Sequence, residues 1–160
     1  MTLEEQINKL SGAIAEFVSF IDSLPGETFL KRMDNWSPRE VLAHLIGWNR
    51  YTIEGCEQIR RGETPFYFID SGDDFSKVNA VSVQRYSSRD RRKLIDELEA
   101  AFRELKRYLR SLAPTEWEAD YGVRYEGGPV TIKNTIDALI SDYVHHREQI
   151  KGWVKSVDGV

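Results

Sequence analysis

Apolar side chains recur at intervals of three and four residues along most of this 160-residue sequence. This interval matches the turn of an α-helix, so each such stretch presents one apolar stripe and one polar face. The stretches cover 3–24, 38–62, 89–112 and 131–157, and the third is preceded by a further helical segment that starts near 75 and breaks at 86–88. Four long stripes are buried most simply by packing four helices together. The sequence therefore predicts an all-α fold, a four-helix bundle.

Capping and turn-forming residues mark the ends of these helices. Pro25 ends the first helix, because proline cannot continue it. Ser37 and Glu40 form an S-x-x-E capping box at the start of the second helix. Two long connections follow, between helices 2 and 3 and between helices 3 and 4. The first, 62–75, is predicted to be a loop, and the second, 115–130, an irregular segment that could contain a short hairpin.

Length and composition are typical of a single globular domain, which we place at 1–160. Hydrophobic residues make up 41% and charged residues 30%, and no apolar run approaches the ~20 residues of a membrane helix. Cys56 is the single cysteine, so no internal disulfide can form and we expect a cytoplasmic protein. The net charge of −4 offers no broad basic surface, so we do not expect a nucleic-acid partner.

Two of the three histidines interrupt apolar stripes. His44 lies on the stripe of the second helix and His146 on that of the fourth, where Asp142 precedes it by four residues and shares its face. A carboxylate and an imidazole at this spacing, with one imidazole from a facing helix, would make a three-ligand metal site. The alternative is a hydrogen-bonded core histidine and an ordinary ion pair. His145 projects about 100° away from His146 and is expected to be partly exposed.

Two segments resemble signatures of the DinB/YfiT-like superfamily. Residues 36–48 read WSPREVLAHLIGW and resemble its second-helix run W-S-x-x-E-V-L-x-H-L, in which the histidine binds metal. Residues 142–150 read DYVHHREQI and resemble its fourth-helix run H-x-x-H-H-R-G-Q-I. With an S-x-x-D helix start at Ser87, the chain is most similar to the ClbS/DfsB branch. The resemblance spans nearly the whole chain and implies a helical bundle that holds a divalent metal: zinc, nickel or manganese.

Carried over by position, His44 and His146 match two of the three metal-binding histidines of the superfamily. Asp142 stands where the third histidine is common, and we include it as a ligand because aspartate also binds these metals. Glu148 replaces the usual glycine. A register shifted along the helix would pair His145 with a glutamine, which is a poor metal ligand. Trp48, one turn from His44, is expected to contact substrate, and the sequence identifies no catalytic acid or base.

The resemblance implies a metal-dependent hydrolase or thiol-dependent transferase acting on a small electrophilic molecule, in detoxification or self-protection. Some members of the superfamily use a low-molecular-weight thiol such as bacillithiol or mycothiol, whereas ClbS-like members open the cyclopropane ring of a genotoxin by hydrolysis. Cys56 is about 18 Å along its helix from His44 and is expected to be a buried apolar residue. The alternative function is a metal-free bundle that binds a small molecule or acts as a homodimer.

Overall fold

The computed structural model describes residues 1–70, 75–88 and 90–158, and in them the chain forms eight helices and one small hairpin. Four helices are long: α1 (Leu3–Ser23), α3 (Pro38–Arg60), α6 (Arg91–Arg110) and α8 (Ile132–Asp158). Four are short: α2 (Gly26–Leu30), α4 (Phe66–Asp70), α5 (Ser76–Arg85) and α7 (Pro114–Trp117). The four long helices coincide with the four apolar stretches, which confirms the all-α prediction.

The helix starts follow the predicted capping chemistry. Ser37 accepts a hydrogen bond from the backbone nitrogen of Glu40, whose carboxylate in turn accepts from the backbone nitrogen of Ser37. Thr2 and Glu5 form the same reciprocal box at the start of α1. Asp90 caps α6 by accepting from the backbone nitrogen of Lys93. These caps satisfy amide groups that have no partner within the helix.

The connections are more ordered than predicted. The first connection, 62–75, contains α4. Its residues 71–74 lie outside the described residues, and so does Arg89 at the predicted start of the third helix. The second, 115–130, contains the end of α7 and the hairpin, in which β1 (Arg124–Tyr125) pairs antiparallel with β2 (Gly128–Pro129). The prediction of a loop at 62–75 was therefore wrong where α4 lies, because aromatic side chains of α4 pack onto α3.

Helix α3 is the central helix of the bundle, since it contacts α5, α6 and α8, while α1 packs against α6 and α8. One core joins the long helices, and its largest fully buried side chains include Phe17, Leu45, Leu98 and Tyr143. Burying a side chain of this size contributes about 1.5–3 kcal/mol. Because α3 and α8 are neighbours, His44 on α3 and the acid and histidine on α8 share an interface.

Glycines let the short helices lie directly on α3. A Cβ atom at Gly47 would lie 1.9 Å from the Oγ atom and 2.5 Å from the Cβ atom of Ser82 on α5, and Ser82 is fully buried. A Cβ atom at Gly55 would lie 2.6 Å from the ring of Tyr67 on α4. The close approach at Gly47 fixes the position of Asn79, which precedes Ser82 by one turn of α5. Among the described residues, no helix is long and apolar enough to span a membrane.

We expect Gly47→Ala to lower the free energy of unfolding by about 1–3 kcal/mol, because the added methyl group overpacks the contact with Ser82. Chemical denaturation measures this change. Gly12→Ala is the matched control: it also lies within a helix, but its Cβ would meet no atom within 4 Å. The cost of Gly47→Ala should fall in a Ser82→Gly background. An equal cost in both backgrounds would contradict the packing described here.

Candidate metal centre

His44, Asp142 and His146 meet at the interface of α3 and α8. The carboxylate of Asp142 lies between the two imidazoles, with Oδ2 3.0 Å from Nε2 of His44 and Oδ1 3.2 Å from Nε2 of His146. One ligand atom from each residue lies within 4.8 Å of the others, and this is the single such group of three among the described residues. The fold thus brings together the three residues that the sequence predicted as metal ligands.

A hydrogen bond from His44 to Asn79 identifies which ring nitrogen of His44 carries a proton. Nδ1 of His44 lies 3.0 Å from Oδ1 of Asn79, and Nε1 of Trp48 lies 2.6 Å from the same oxygen. An indole nitrogen can only donate, so this amide atom must be the acceptor oxygen. His44 therefore donates through Nδ1, and in the neutral ring the lone pair of Nε2 points toward Asp142.

This arrangement leaves two acceptors facing each other: the Nε2 lone pair of neutral His44 and a carboxylate oxygen of Asp142. Acceptors 3.0 Å apart repel unless a proton or a cation lies between them. Two imidazole nitrogens and a carboxylate are ligands that zinc and similar divalent ions bind. The residues present therefore fit a divalent cation.

The carboxyl group of Asp142 is held in its ionised form. Burial alone would raise its pKa. When a proton rather than a cation lies between the carboxylate and each imidazole, the hydrogen bonds from His146 and His44 and the charges of these rings outweigh burial and hold the pKa of Asp142 well below the ordinary value. An ionised carboxylate at neutral pH is the form that binds a cation.

The surroundings of the two histidines differ. His44 is buried, with 5% of its surface exposed, and its ring centroid lies 5.0 Å from that of Trp36 and 5.0 Å from that of His146. His146 is half-buried and lies 3.1 Å, through Nδ1, from Oε1 of the exposed Gln149. His145 is exposed, as predicted, and is not part of the three-residue group.

A cavity of about 740 Å³ opens beside these three residues. This volume is within the range of sites for small molecules. Its wall includes Trp48, whose contact with a substrate stays a prediction. Further aromatic rings come from the segment before α3, from α4 and from the start of α5: Trp36, Tyr67, Phe68 and Phe75. Helix α8 also lines the cavity, through residues that include Ala138, Ser141 and His145.

Asn79 and most of the aromatic wall were not predicted from the sequence. Asn79 lies on a short, largely polar helix, and no spacing in the sequence links it to His44. It reaches His44 because α5 crosses α3 at Gly47. The aromatic run at 66–68 was visible in the sequence, but only the folding of this run into α4 places Tyr67 and Phe68 at the cavity.

Cys56 lies outside the cavity and is fully buried, as expected. Burial, with a smaller contribution from the charge of Glu57, raises the pKa of Cys56 to about 12. The thiolate is the reactive form of cysteine, so this side chain is not a nucleophile at neutral pH.

Comparison with known proteins identifies one family. The family model of the DinB superfamily matches residues 9–150. No curated protein sequence gives a match. Solved structures with the same fold include DfsB, a sibling lethal factor precursor, with a TM-score of 0.79 and 13% identity over 99% of this chain and 98% of that chain.

Two further structures share the fold. The colibactin self-resistance protein ClbS, in complex with double-stranded DNA, has a TM-score of 0.76 and 16% identity over 96% of both chains. The mycothiol-dependent maleylpyruvate isomerase has a TM-score of 0.72 and 15% identity, over 94% of this chain and 61% of that one. Identities this low establish the fold alone. Because ClbS is seen with DNA, our expectation against a nucleic-acid partner is not supported by these neighbours.

We expect Cys56 to react with a thiol-modifying reagent much more slowly in the folded protein than in denaturant, because the side chain is buried and protonated. Mass spectrometry after a short incubation at neutral pH measures the modified fraction. Cys56→Ser, which lacks the thiol, provides the blank. Equal rates in the folded and unfolded protein would show that this thiol is accessible.

Proposed function

We propose that this chain, which belongs to the DinB superfamily, is a metal-dependent enzyme that acts on a small electrophilic molecule. One observation carries the proposal: the two carboxylate oxygens of Asp142 each face Nε2 of a different histidine, from two helices far apart in sequence. We assign His44, Asp142 and His146 as ligands of a divalent ion such as zinc, nickel or manganese. When bound, such an ion lowers the pKa of a water or thiol in its open position.

Residues around the three ligands prepare the site. Asn79 and Trp48 hold the ring of His44 with Nε2 toward Asp142. Such partners of metal ligands set both their orientation and their basicity. Trp36 packs against both imidazole rings, with centroid distances of 5.0 and 6.3 Å, and so shields them from water. The carboxylate of Asp142 offsets part of the positive charge of a bound ion.

The nucleophile is proposed to come from outside the chain. Cys56 is the single thiol of the protein, and it is buried away from the cavity. Water or a low-molecular-weight thiol is therefore the candidate, which corresponds to a hydrolase or a thiol-dependent transferase. The mycothiol-dependent isomerase among the structural neighbours supports the thiol, and the self-resistance protein supports a protective role.

The proposal also covers the location, the domain extent and the oligomeric state of the protein. We place it in the cytoplasm as one domain over 1–160, consistent with its single cysteine. A homodimer remains a prediction. The alternative function, a metal-free bundle that binds a small molecule, is decided by the metal test that follows.

We expect the purified protein, loaded with zinc and freed of excess by gel filtration, to retain about one ion per chain, as a three-ligand site would. His146→Ala should abolish this retention, because it removes one ligand. Asn79→Ala should weaken zinc affinity by about 10–100-fold, the usual effect of losing a partner of a ligand. Elemental analysis and a competing chelator measure both quantities.

His145→Ala is the matched control, since it removes the same side chain type one position away and leaves the three ligands intact. It should retain zinc as the parent does. Zinc retention that survives His146→Ala, or a folded parent that binds no zinc, would contradict the assignment. The second result would favour the metal-free alternative.

Replacing zinc with cobalt tests whether a low-molecular-weight thiol binds the metal as a cosubstrate. If a thiol is the cosubstrate, adding a low-molecular-weight thiol such as mycothiol to the cobalt-loaded protein should produce a sulfur-to-cobalt charge-transfer band at sub-millimolar concentration, because thiolate binds such ions directly. The His44→Ala variant in the same titration provides the background. A spectrum unchanged by thiols would exclude the thiol-dependent reaction and leave hydrolysis.

A further inference from the structure

We infer that the cavity beside His44, Asp142 and His146 takes an uncharged, flat, aromatic molecule and selects against carboxylates and other anions. This inference rests on the proposed function, which assigns the reactive end of the substrate to the three ligands. It concerns the rest of the substrate, which would fill the cavity. Three properties of the cavity wall support it: rigid aromatic rings, several polar groups that are already hydrogen-bonded, and the lack of a lysine or arginine among the described lining residues.

The aromatic rings of the wall support one another edge to face. Trp48 and Tyr67 have centroids 5.0 Å apart at 65°, and Trp48 and Phe75 have centroids 5.7 Å apart at 84°. Phe68 is stacked on Tyr125 at 4.0 Å and 13°, which fixes its orientation. Aromatic pairs in these geometries are favourable beyond the burial of their area. The wall therefore presents fixed ring faces and edges, which suit the faces and edges of another ring system.

Several polar side chains of the wall already have partners within the protein. Thr52 donates to the backbone oxygen of Trp48 at 2.6 Å, and Thr135 donates to that of Thr131 at 2.7 Å. The amide of Asn134 accepts from the backbone nitrogen of Thr131 and donates to the backbone oxygen of Pro129, both at 2.9 Å. Because these polar atoms already have partners, they offer few hydrogen bonds to a molecule in the cavity. Apolar contact therefore dominates along this part of the wall.

No lysine or arginine is among the described residues that line the cavity. Arg147, which follows His146, pairs instead with Glu16 of α1 at 2.6 Å. The charged carboxylate in the wall is that of Asp142. A carboxylate on the ligand would leave water without a lysine or arginine to pair with it, and the imidazoles of His44 and His146 already face the carboxylate of Asp142. Burying an unpaired charge is costly. Anions are therefore disfavoured relative to neutral molecules of the same shape.

Two probes with the same ring system test this inference: 2-naphthol, which is neutral at neutral pH, and 2-naphthoate, which is an anion. Isothermal titration calorimetry is performed on the full chain after chelator treatment, so that a carboxylate cannot gain affinity from a bound metal. We expect 2-naphthol to bind about tenfold or more tightly than 2-naphthoate, a difference of about 1.4 kcal/mol or more.

A cavity variant locates the binding. Ala138→Leu fills part of the cavity from α8 and should weaken 2-naphthol by about tenfold or more. The matched control, Ala80→Leu, makes the same change at an exposed position of α5 that is not part of the cavity wall, and it should leave binding unchanged. Circular dichroism verifies that both variants are folded.

Binding of 2-naphthoate as tightly as 2-naphthol, binding of neither, or binding that Ala138→Leu leaves unchanged would each overturn the inference. Zinc content is measured separately on zinc-loaded samples of the same preparation. Selective binding of 2-naphthol by a protein that takes up no zinc would support this ligand class while contradicting the proposed metal-dependent function. Zinc uptake by a protein that does not bind 2-naphthol selectively would contradict the ligand class and leave the proposed metal-dependent function standing.

Discussion

The contact of one carboxylate with two imidazoles connects the fold of this protein to its proposed chemistry. Asp142 on α8 faces His44 across the bundle and His146 one turn farther along its own helix. Without a proton or a cation between them, the Nε2 lone pair of His44 and the carboxylate would repel. The interface of α3 and α8 thus holds a polar cluster whose geometry a shared proton or a bound cation satisfies.

The position of this cluster depends on close helix packing. Because Gly47 has no side chain, α5 lies directly on α3, and Asn79 reaches Nδ1 of His44. The same approach of α4 at Gly55 places Tyr67 in the cavity wall. Two glycines on the central helix therefore shape both the hydrogen bonding of His44 and the aromatic wall of the cavity.

Local spacing predicted the long helices, and local spacing together with the resemblance to the DinB/YfiT-like signatures predicted the candidate ligands. The apolar stripes define α1, α3, α6 and α8, and the four-residue step from Asp142 to His146 places both on one helix face. The sequence did not predict Asn79 or α4, because these depend on contacts between segments far apart in the chain. Asn79 is 35 residues from His44, and nothing local relates the two.

The most direct measurement is X-ray absorption at the zinc edge of the zinc-loaded protein. We predict a first shell of nitrogen and oxygen ligands at about 2.0–2.2 Å, with the outer-shell scattering of two imidazole rings. His146→Ala should remove the contribution of one ring or prevent loading altogether. A first shell without imidazole scattering would show that zinc binds elsewhere and would contradict the assignment of His44, Asp142 and His146 as ligands.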